Sequence, residues 1–517
     1  MQTFEKLLKK YQAKNKRLYS QSSNKLTELI EKRNSLQQEI QSLRDRARIL
    51  NESRQEPHLT FYNNIITEIT AKEHFLNVTN ENLLDEQAKY EQYSKNKTTP
   101  KLSEIFEKTT YSIELKDIDF GELLFTDNYI KYNNLSIIID KHCKFNNCNI
   151  TSLKFENYSN LMEEQKYDLI FDNFHNKDEN NPIIMINNSH FYGKFYINRK
   201  NLQETDFKER DIKIKSFYIK NSTFHQNFKL HNAEVIEFDI NDSNFEDKAD
   251  FFKTQFKKGK NKKSLISFYA INFNELSIFE ECEFCEKVDF TYVTFKGLSQ
   301  FRKATFKKGL NLDNTNIEKD MNFFEIQSID SSASKEQTSQ ETYRIIKHQL
   351  EKQNNKIEAN RYYSCELEKK RKNLASNLNC IENILSYIVF SLHNMTSAHA
   401  RNWFLVLMWI FMTGLFTTLA CDSEIPKIIL PSLIISLFIF GLFRWTYFPI
   451  ILALISSVIL FKVYDVPFNI DEILQHTNLL FNIGKKNNFS SMLFANKIAL
   501  GYLYYQFITS VRKDTSK

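Results

Sequence analysis

Between residues 268 and 323 a large apolar side chain recurs at alternating steps of five and six. The series is Phe268, Phe273, Phe279, Phe284, Phe290, Phe295, Phe301, Phe306, Leu312, Ile317 and Phe323, so the period is 11 residues. An α-helix repeats near 3.6 residues and a strand at 2, and neither produces that spacing. A small residue stands two positions before several members: Ser277, Cys282, Ser299, Ala304 and Thr315. Together they describe a coil with short flat faces. The large side chain points inward at mid-face, and the small one fills the interior beside the corner. The same signature runs through Phe224, Leu230, Val235, Ile240, Phe245, Phe251 and Phe256, with Ser222, Ala233, Ser243, Ala249 and Thr254 in the small position. The segment KKGKNKKSLIS (257–267) breaks the phase and reads as a protruding lysine loop. Before about residue 215 the pattern is irregular. It survives at Phe145, Ile150 and Phe155, with Cys143 and Cys148, amid polar stretches such as 173–181. Residues 106–212 are read as degenerate first coils, with a separate small β domain as the alternative. Coils stacked at the strand spacing, roughly 4.8 Å, enclose a column of rings. Their open ends need caps, because each exposes unpaired strand edges.

This repeat resembles the pentapeptide-repeat family, whose fold is a four-sided right-handed β-helix. The segment ETYRIIKHQLEKQNNKIEANRYYSCELEKKRKNL (341–374) and the apolar runs beyond it extend the likeness to bacterial membrane-attached pentapeptide-repeat proteins. That likeness covers roughly 215–517 and leaves the N-terminal helices unexplained. It implies a scaffold, a long helix and C-terminal transmembrane helices. It implies no reaction. Another branch of the family mimics the DNA duplex with an acidic face and binds topoisomerase. Here Glu280, Glu281, Glu283, Glu286 and Asp289 form an acidic patch, but Lys257, Lys258, Lys260, Lys262, Lys263, Lys303, Lys307 and Lys308 surround it. Duplex mimicry needs a continuous negative column, so the patch reads as solvated surface.

The N-terminal arm (1–105) is helical. Leu26, Leu29, Arg33, Leu36, Ile40, Leu43, Ala47 and Leu50 step by three and four, a heptad seam with one charged interruption. Pro57 ends it. Two readings stay open: the helix folds back on its own chain, pairing with a second helix through Ile65, Ile66, Ile69, Phe75 and Leu76, or it forms an intermolecular coiled coil. The polar run 77–99 reads as a loop or a fraying helix end.

After the linker 331–340 come capping and membrane-proximal helices (341–400), with Tyr343, Ile346, Leu350 and Ile357 on one face. Apolar runs at 402–420, 428–443, 447–462 and 494–511 then read as about four membrane spans within 401–517. Lys369, Lys370, Arg371, Lys372, Arg401, Arg444, Arg512, Lys513 and Lys517 flank them on one side, which the positive-inside rule makes cytoplasmic. Lys485 and Lys486 run against that rule. The expectation is a multi-pass protein of the bacterial inner membrane with both termini and the repeat domain in the cytoplasm. The start MQTFEKLLKKYQAKNKR has no apolar core of a signal peptide. Between the last two runs, Ile470, Ile473, Leu474, Leu480 and Phe481 suggest an amphipathic helix on the membrane surface.

Chemistry is sparse. Nine glycines build no phosphate loop, and no G-x-S-x-G or kinase set is present. Cys282 and Cys285 form a single C-x-x-C whose members fall on different sides of the coil wall, so ordinary packing is favoured over zinc. The histidines show no metal-ligand pairing. A net charge of +6 on 517 residues is no nucleic-acid footprint. The reading is therefore a multidomain α+β membrane protein: a pentapeptide-type β-helix (106–326), coiled-coil-like N-terminal helices and a C-terminal helical transmembrane domain. Neither an enzyme nor a cofactor is expected. Its expected role is a scaffold for protein–protein interaction, with membrane lipid, an unidentified protein and further copies of itself as partners. The alternative is an oligomeric membrane pore gated by the cytoplasmic assembly, although the filter sequence T-V-G-Y-G is missing.

Overall fold

The structure, a computed structural model, describes residues 2–515 except 53–55, 99, 107–111, 128, 133–134, 147, 160, 163–164, 173–181, 199–211, 258–264, 423–447, 464–468 and 481–490. The chain forms two compact units, Met1–Gln255 with Ile271–Glu275, and Phe256–Ala270 with Leu276–Lys517.

The first unit begins with two long helices, α1 (Phe4–Glu52) and α2 (Glu56–Thr98). They run antiparallel, and α2 covers the heptad seam of α1. Ile40, Leu43, Ala47 and Ile69 form the buried cluster, with Tyr62, Ile65 and Leu76 packed on it. Ion pairs lace the edges: Arg44 with Glu73 at 2.7 Å and Lys72 with Glu39 at 2.5 Å. The chain thus supplies its own partner for the seam. Arg33 stays half-buried and donates to the Asn34 side chain at 2.9 Å. Pro57 sits in the first turn of α2, where its missing N–H costs nothing. The run 77–99, expected as a loop or a fraying helix end, is helical through Thr98.

The start of α1 also closes the first coil. Gln2–Thr3 pairs in parallel with Ile118–Asp119. Phe4 is fully buried, its ring 5.0 Å from Phe120. Three sheets follow. One orders Ser112–Lys116, His142–Asn146, Leu169–Asp172, Phe195–Asn198, Phe228–Leu230 and Ala249–Asp250, each parallel to the next. The second holds long strands, Ile118–Asp127, Asn149–Tyr158, Ile183–Asn187, Ile212–Lys220 and Ala233–Asn241. The third holds two-residue strands such as Thr223–Phe224 and Asn244–Phe245. In the first of these sheets Cys143 pairs with Leu169, Phe195 with Phe228, and Phe228 with Ala249, three steps of unequal length. That variation blurs the repeat in the sequence before residue 215.

The second unit is regular. Ile266, Val288 and Leu310 pair in succession, as do Ser277, Ser299 and Met321, Glu283 with Thr305, and Thr294 with Asn316. Every partner stands two periods further along the chain, so one coil has four strand positions, each a two-residue strand or little more. Rings stack at that interval: Phe268 on Phe290 at 4.7 Å, Phe279 on Phe301 at 4.9 Å and Phe284 on Phe306 at 5.1 Å. Phe224, Phe245, Phe251, Phe256, Phe268, Phe273, Phe279, Phe284, Phe290, Phe295, Phe301, Phe306 and Phe323 are all at most 1% exposed. Every second corner is a tight turn in which the N–H of Cys282, Val293 or Ala304 donates to the carbonyl of Phe279, Phe290 or Phe301. The residue before that donor is left-handed: Glu281, Tyr292 and Lys303 have φ of 55°, 59° and 55°.

The far end of these coils is closed by α4 (Ser332–Gln337) and α5 (Gln340–Lys352). Side chains of the cap satisfy strand groups that no further coil would meet. Leu312 N–H donates to Thr342 Oγ1 at 2.8 Å, Leu310 N–H to Thr338 Oγ1 at 3.3 Å, and Met321 N–H to Gln349 Oε1 at 3.0 Å. Tyr343, Ile346 and Leu350 are buried beneath. Ile357, expected on the same face, is half exposed. The chain breaks at Asn354 (φ 60°), and Ile357 belongs to the next helix, α6 (Lys356–Ala375).

Beyond lie α7 (Ile381–Ser397), α8 (Trp403–Asp422), α9 (Phe448–Val463), α10 (Ile470–Thr477) and α11 (Ser491–Thr515). Among the described residues no helix is long and apolar enough to cross a membrane. That finding overturns the expected transmembrane domain in 401–517, and with it the membrane-protein fold class and the multi-pass inner-membrane location. The 16 residues of α9 span about 24 Å against a hydrocarbon core of about 30 Å. The helix α11 carries Asn496, Lys497, Gln506, Arg512 and Lys513. The apolar side of α8 is taken up by neighbours, since α9, α10 and α11 all pack on it. Gly414 lets α10 approach so closely that a Cβ there would stand 2.6 Å from Thr477 Cγ2 and 2.8 Å from the Ile473 carbonyl oxygen. The architecture is therefore parallel sheets wound in coils, together with helices. The expected span 428–443 and the lysine loop of 258–264 lie outside the described residues.

Candidate functional site

The repeat surface offers little for chemistry. Acids of one coil meet amines and amides of the next: Glu286 with Lys308 Nζ at 2.9 Å, Asp289 with Asn311 Nδ2 at 2.9 Å, and Glu283 with Lys307. The acidic patch is neutralised within the stack and forms no open column. Cys282 is buried inward, whereas Cys285 is half-buried on the other side of Phe284.

A site-like arrangement lies instead where α6, α7 and α11 meet the start of α8. The face of α6 supplies Glu368 and, one turn later, Arg371, whose guanidinium forks onto the carboxylate at 2.9 and 2.8 Å. His399 Nε2 lies 3.4 Å from the same carboxylate, and its Nδ1 lies 3.2 Å from His393 Nδ1. His399 is 2% exposed. Burial raises the Glu368 carboxyl, but hydrogen bonds from Arg371 and His399, and their charges, overcome it and hold it at about 2. Burial pushes His393 down to about 4, and the neighbouring His399 and Lys513 add to that. Burial also lowers His399, against the pull of Glu368. Both imidazoles are therefore neutral near pH 7. The tautomers follow: His399 Nε2–H donates to Glu368, so its Nδ1 accepts from His393 Nδ1–H.

The turn carrying His399 is unusual. Ala398, His399 and Ala400 are consecutive left-handed residues, with φ of 47°, 59° and 62°. Each non-glycine residue in that region costs about 1–2 kcal/mol. Ser397 opposes the strain: its hydroxyl donates to the His393 carbonyl at 2.9 Å and accepts Ala400 N–H at 2.9 Å. From α11, Gln506 Oε1 stands 3.3 Å from Ser397 Oγ. Sequence reading set these histidines aside as scattered. The one available signal is His-x5-His at a helix end, too common to single out. Among the described residues no group of three or more His, Cys, Asp or Glu could hold a metal ion.

A second feature concerns the outer faces of α9, α10 and α11, which expose apolar side chains. On α9 the inward residues are Ala453 and Ser457, while Ile451, Ile455, Val458 and Ile459 are more than half exposed. On α11, Asn496, Gln506 and Ser510 face inward beside Leu500 and Leu503, while Phe494, Ile498, Tyr505 and Ile508 face outward. On α10, Ile473 is buried, but Ile470 and Leu474 are exposed. No family model, curated protein or solved structure matches this chain.

Proposed function

We propose that this chain is an assembly scaffold: a pentapeptide-type β-helix core whose flanking helices make protein–protein contacts, with a second copy of the chain as the first partner. The observation that carries this reading is the inverted pattern of α9, together with the exposed apolar face of α11. A helix with Ser457 or Gln506 inside and isoleucines outside leaves apolar surface in water, which soluble monomers avoid beyond a few hundred Å². An interface covers such a face at a gain of about 25 cal/mol per Å². The N-terminal hairpin adds contact area, since Phe61 and Phe75, two heptads apart on α2, are 65% and 61% exposed. No catalytic step is assigned. The gated-pore alternative needs spanning helices, and none qualifies among the described residues.

Light scattering of the full chain tests this. The chain should be oligomeric at micromolar concentration. Ile455→Glu with Ile498→Glu should shift it toward monomer while leaving the β-sheet circular dichroism intact. A wild-type monomer that recovers no protein partner sinks the reading. Flotation with lipid vesicles in place of self-association would assign the inverted faces to lipid.

A further inference from the structure

We propose that the turn Ser397–Arg401 between α7 and α8 is a proton-operated latch, closed by the bond between His393 and His399 and opened when both rings are protonated. This rests on the geometry of the cluster and stands apart from the assembly proposed above. In the closed state the relay is Glu368 carboxylate, His399 Nε2–H, His399 Nδ1, and His393 Nδ1–H as donor. A proton added to His399 goes on Nδ1, its remaining lone pair. The ring bond survives that first proton, because His393 then carries its own proton on Nε2 and accepts; with both rings protonated, two N–H groups face each other across 3.2 Å and the bond is lost. A proton added first to His393 likewise leaves the bond in place, but the charged ring is opposed by burial and by Lys513.

The charges facing the pair come from each packed element. From α6 there are Glu368 and Arg371, the latter also influenced by Tyr387 of α7. From α11 there is Lys513, itself half-buried over the Tyr363 ring at 4.3 Å and pushed down by burial, Arg512 and Lys347. Among the described residues Glu368 is the one anion acting on the pair, and Arg371 already occupies it. Burial is what most disfavours an imidazolium here, with repulsion from Arg371 and Lys513 set against the pull of Glu368. The strained triplet makes the response local. Ala398, His399 and Ala400 are held left-handed by the backbone bonds of Ala398 and His399 to α7, by the bonds of Ser397 and by the ring pair. Removing one lets the backbone return to common conformations and frees the angle between α7 and α8.

The sign follows from the lowered histidines. Their folded-state affinity for protons is below the unfolded value, so the closed state is fully favoured above about pH 6.5 and is lost as pH falls toward about 4. The test is hydrogen exchange of the full-length protein at pH 7.5 and 5.0, corrected for intrinsic rates. Protection across 396–402 should fall on the order of tenfold in the wild type, while protection across 288–312 stays level. His393→Gln with His399→Gln should abolish the pH dependence. An equal fall in the double variant, or no fall in the wild type, overturns the latch. If the double variant does not fold, wild-type histidine titration by NMR decides. Both rings must titrate below their ordinary value and in step with the loss of protection; ordinary titration of both overturns the latch.

Discussion

The coils of the first unit and those of the second solve one problem by different means. A wound chain must turn a corner every few residues, and some corners need a left-handed residue. In the first unit those positions hold Asp117, Asp127, Asn157, Asn188, Asn221, Asn232 and Asp242, with Lys253 as the exception. Asn and Asp tolerate that region because their short polar side chains bond locally. In the second unit the positions are Ala270, Glu281, Tyr292, Lys303, Asn314 and Glu325, at an interval of 11. Here side chains that dislike the conformation are held in it. The compensation lies inside. The first unit has long strands in long parallel ladders, such as Ile212–Lys220 beside Ala233–Asn241. The second has two-residue strands and depends the more on stacked phenylalanines, which the first unit also has, as in Phe224 on Phe245. Where the ladders are short, ring stacking inside the coil holds the unfavourable corners.

The largest effect should come from the core of the second unit. Phe279→Ala removes a ring stacked on Phe301 and edge-on to Phe268 and Phe290, and should cost about 3–5 kcal/mol in chemical denaturation. Exposed Lys296→Ala should stay within about 0.5 kcal/mol. A loss no greater than that from Phe224→Ala in the first unit, whose ring stacks on Phe245, would erase the contrast between the units.

Acid should also separate the units. Glu368 sits at about 2, below its ordinary 4.5, so its contribution is complete above pH 4.5 and disappears as pH falls through 2. It amounts to about 3 kcal/mol. His393 acts earlier, between pH 6.5 and 4. Melting curves followed from pH 8 to 3 should show the helices of the second unit weakening in those two stages. Glu368→Gln should remove the lower stage. A single transition near pH 4.5 would rule out the paired arrangement.

The cap comes next. Thr342→Val leaves the buried Leu312 N–H without its acceptor, for about 1–3 kcal/mol, and exchange at Leu312 should rise before exchange at Val288. Equal protection at both would mean the last coil needs no cap.

The smallest effect tests the corners directly. Lys303→Gly relieves a left-handed strain and should be neutral to stabilising by up to about 1 kcal/mol, whereas Asn232→Gly should gain nothing. Matching changes at the two sites would show that the corners carry equal strain.

The strict repeat was legible because one coil of the second unit has constant length. When every coil is two periods long, Phe284 and Phe306 must recur in register. In the first unit the step from Cys143 to Leu169 is longer than that from Phe228 to Ala249 and shorter than that from Phe195 to Phe228, and such unequal steps scramble the same signal. The heptad seam was equally visible, but its partner was not. Leu26 to Leu50 shows an apolar stripe and leaves open which chain covers it; α2 decides that through Ile69 and Leu76. The apolar runs after residue 402 misled for a related reason. Hydropathy along the chain records how apolar a segment is and not what surrounds it. Gly414 against Thr477, and the 16-residue length of α9, appear only when the helices are assembled.

The amino-acid sequence by itself determined the elements whose forces are local or periodic: the Phe column, the small residues beside it, and the long amphipathic helices. Tertiary structure alone decided the rest. His393, His399, Glu368 and Arg371 come from two helices and a turn, and their meeting depends on how α6, α7 and α11 pack around Ser397. Charge and hydrogen-bond energies act over a few ångströms in space, and groups far apart in the chain, such as Glu368 and His399, carry no periodic mark of being neighbours.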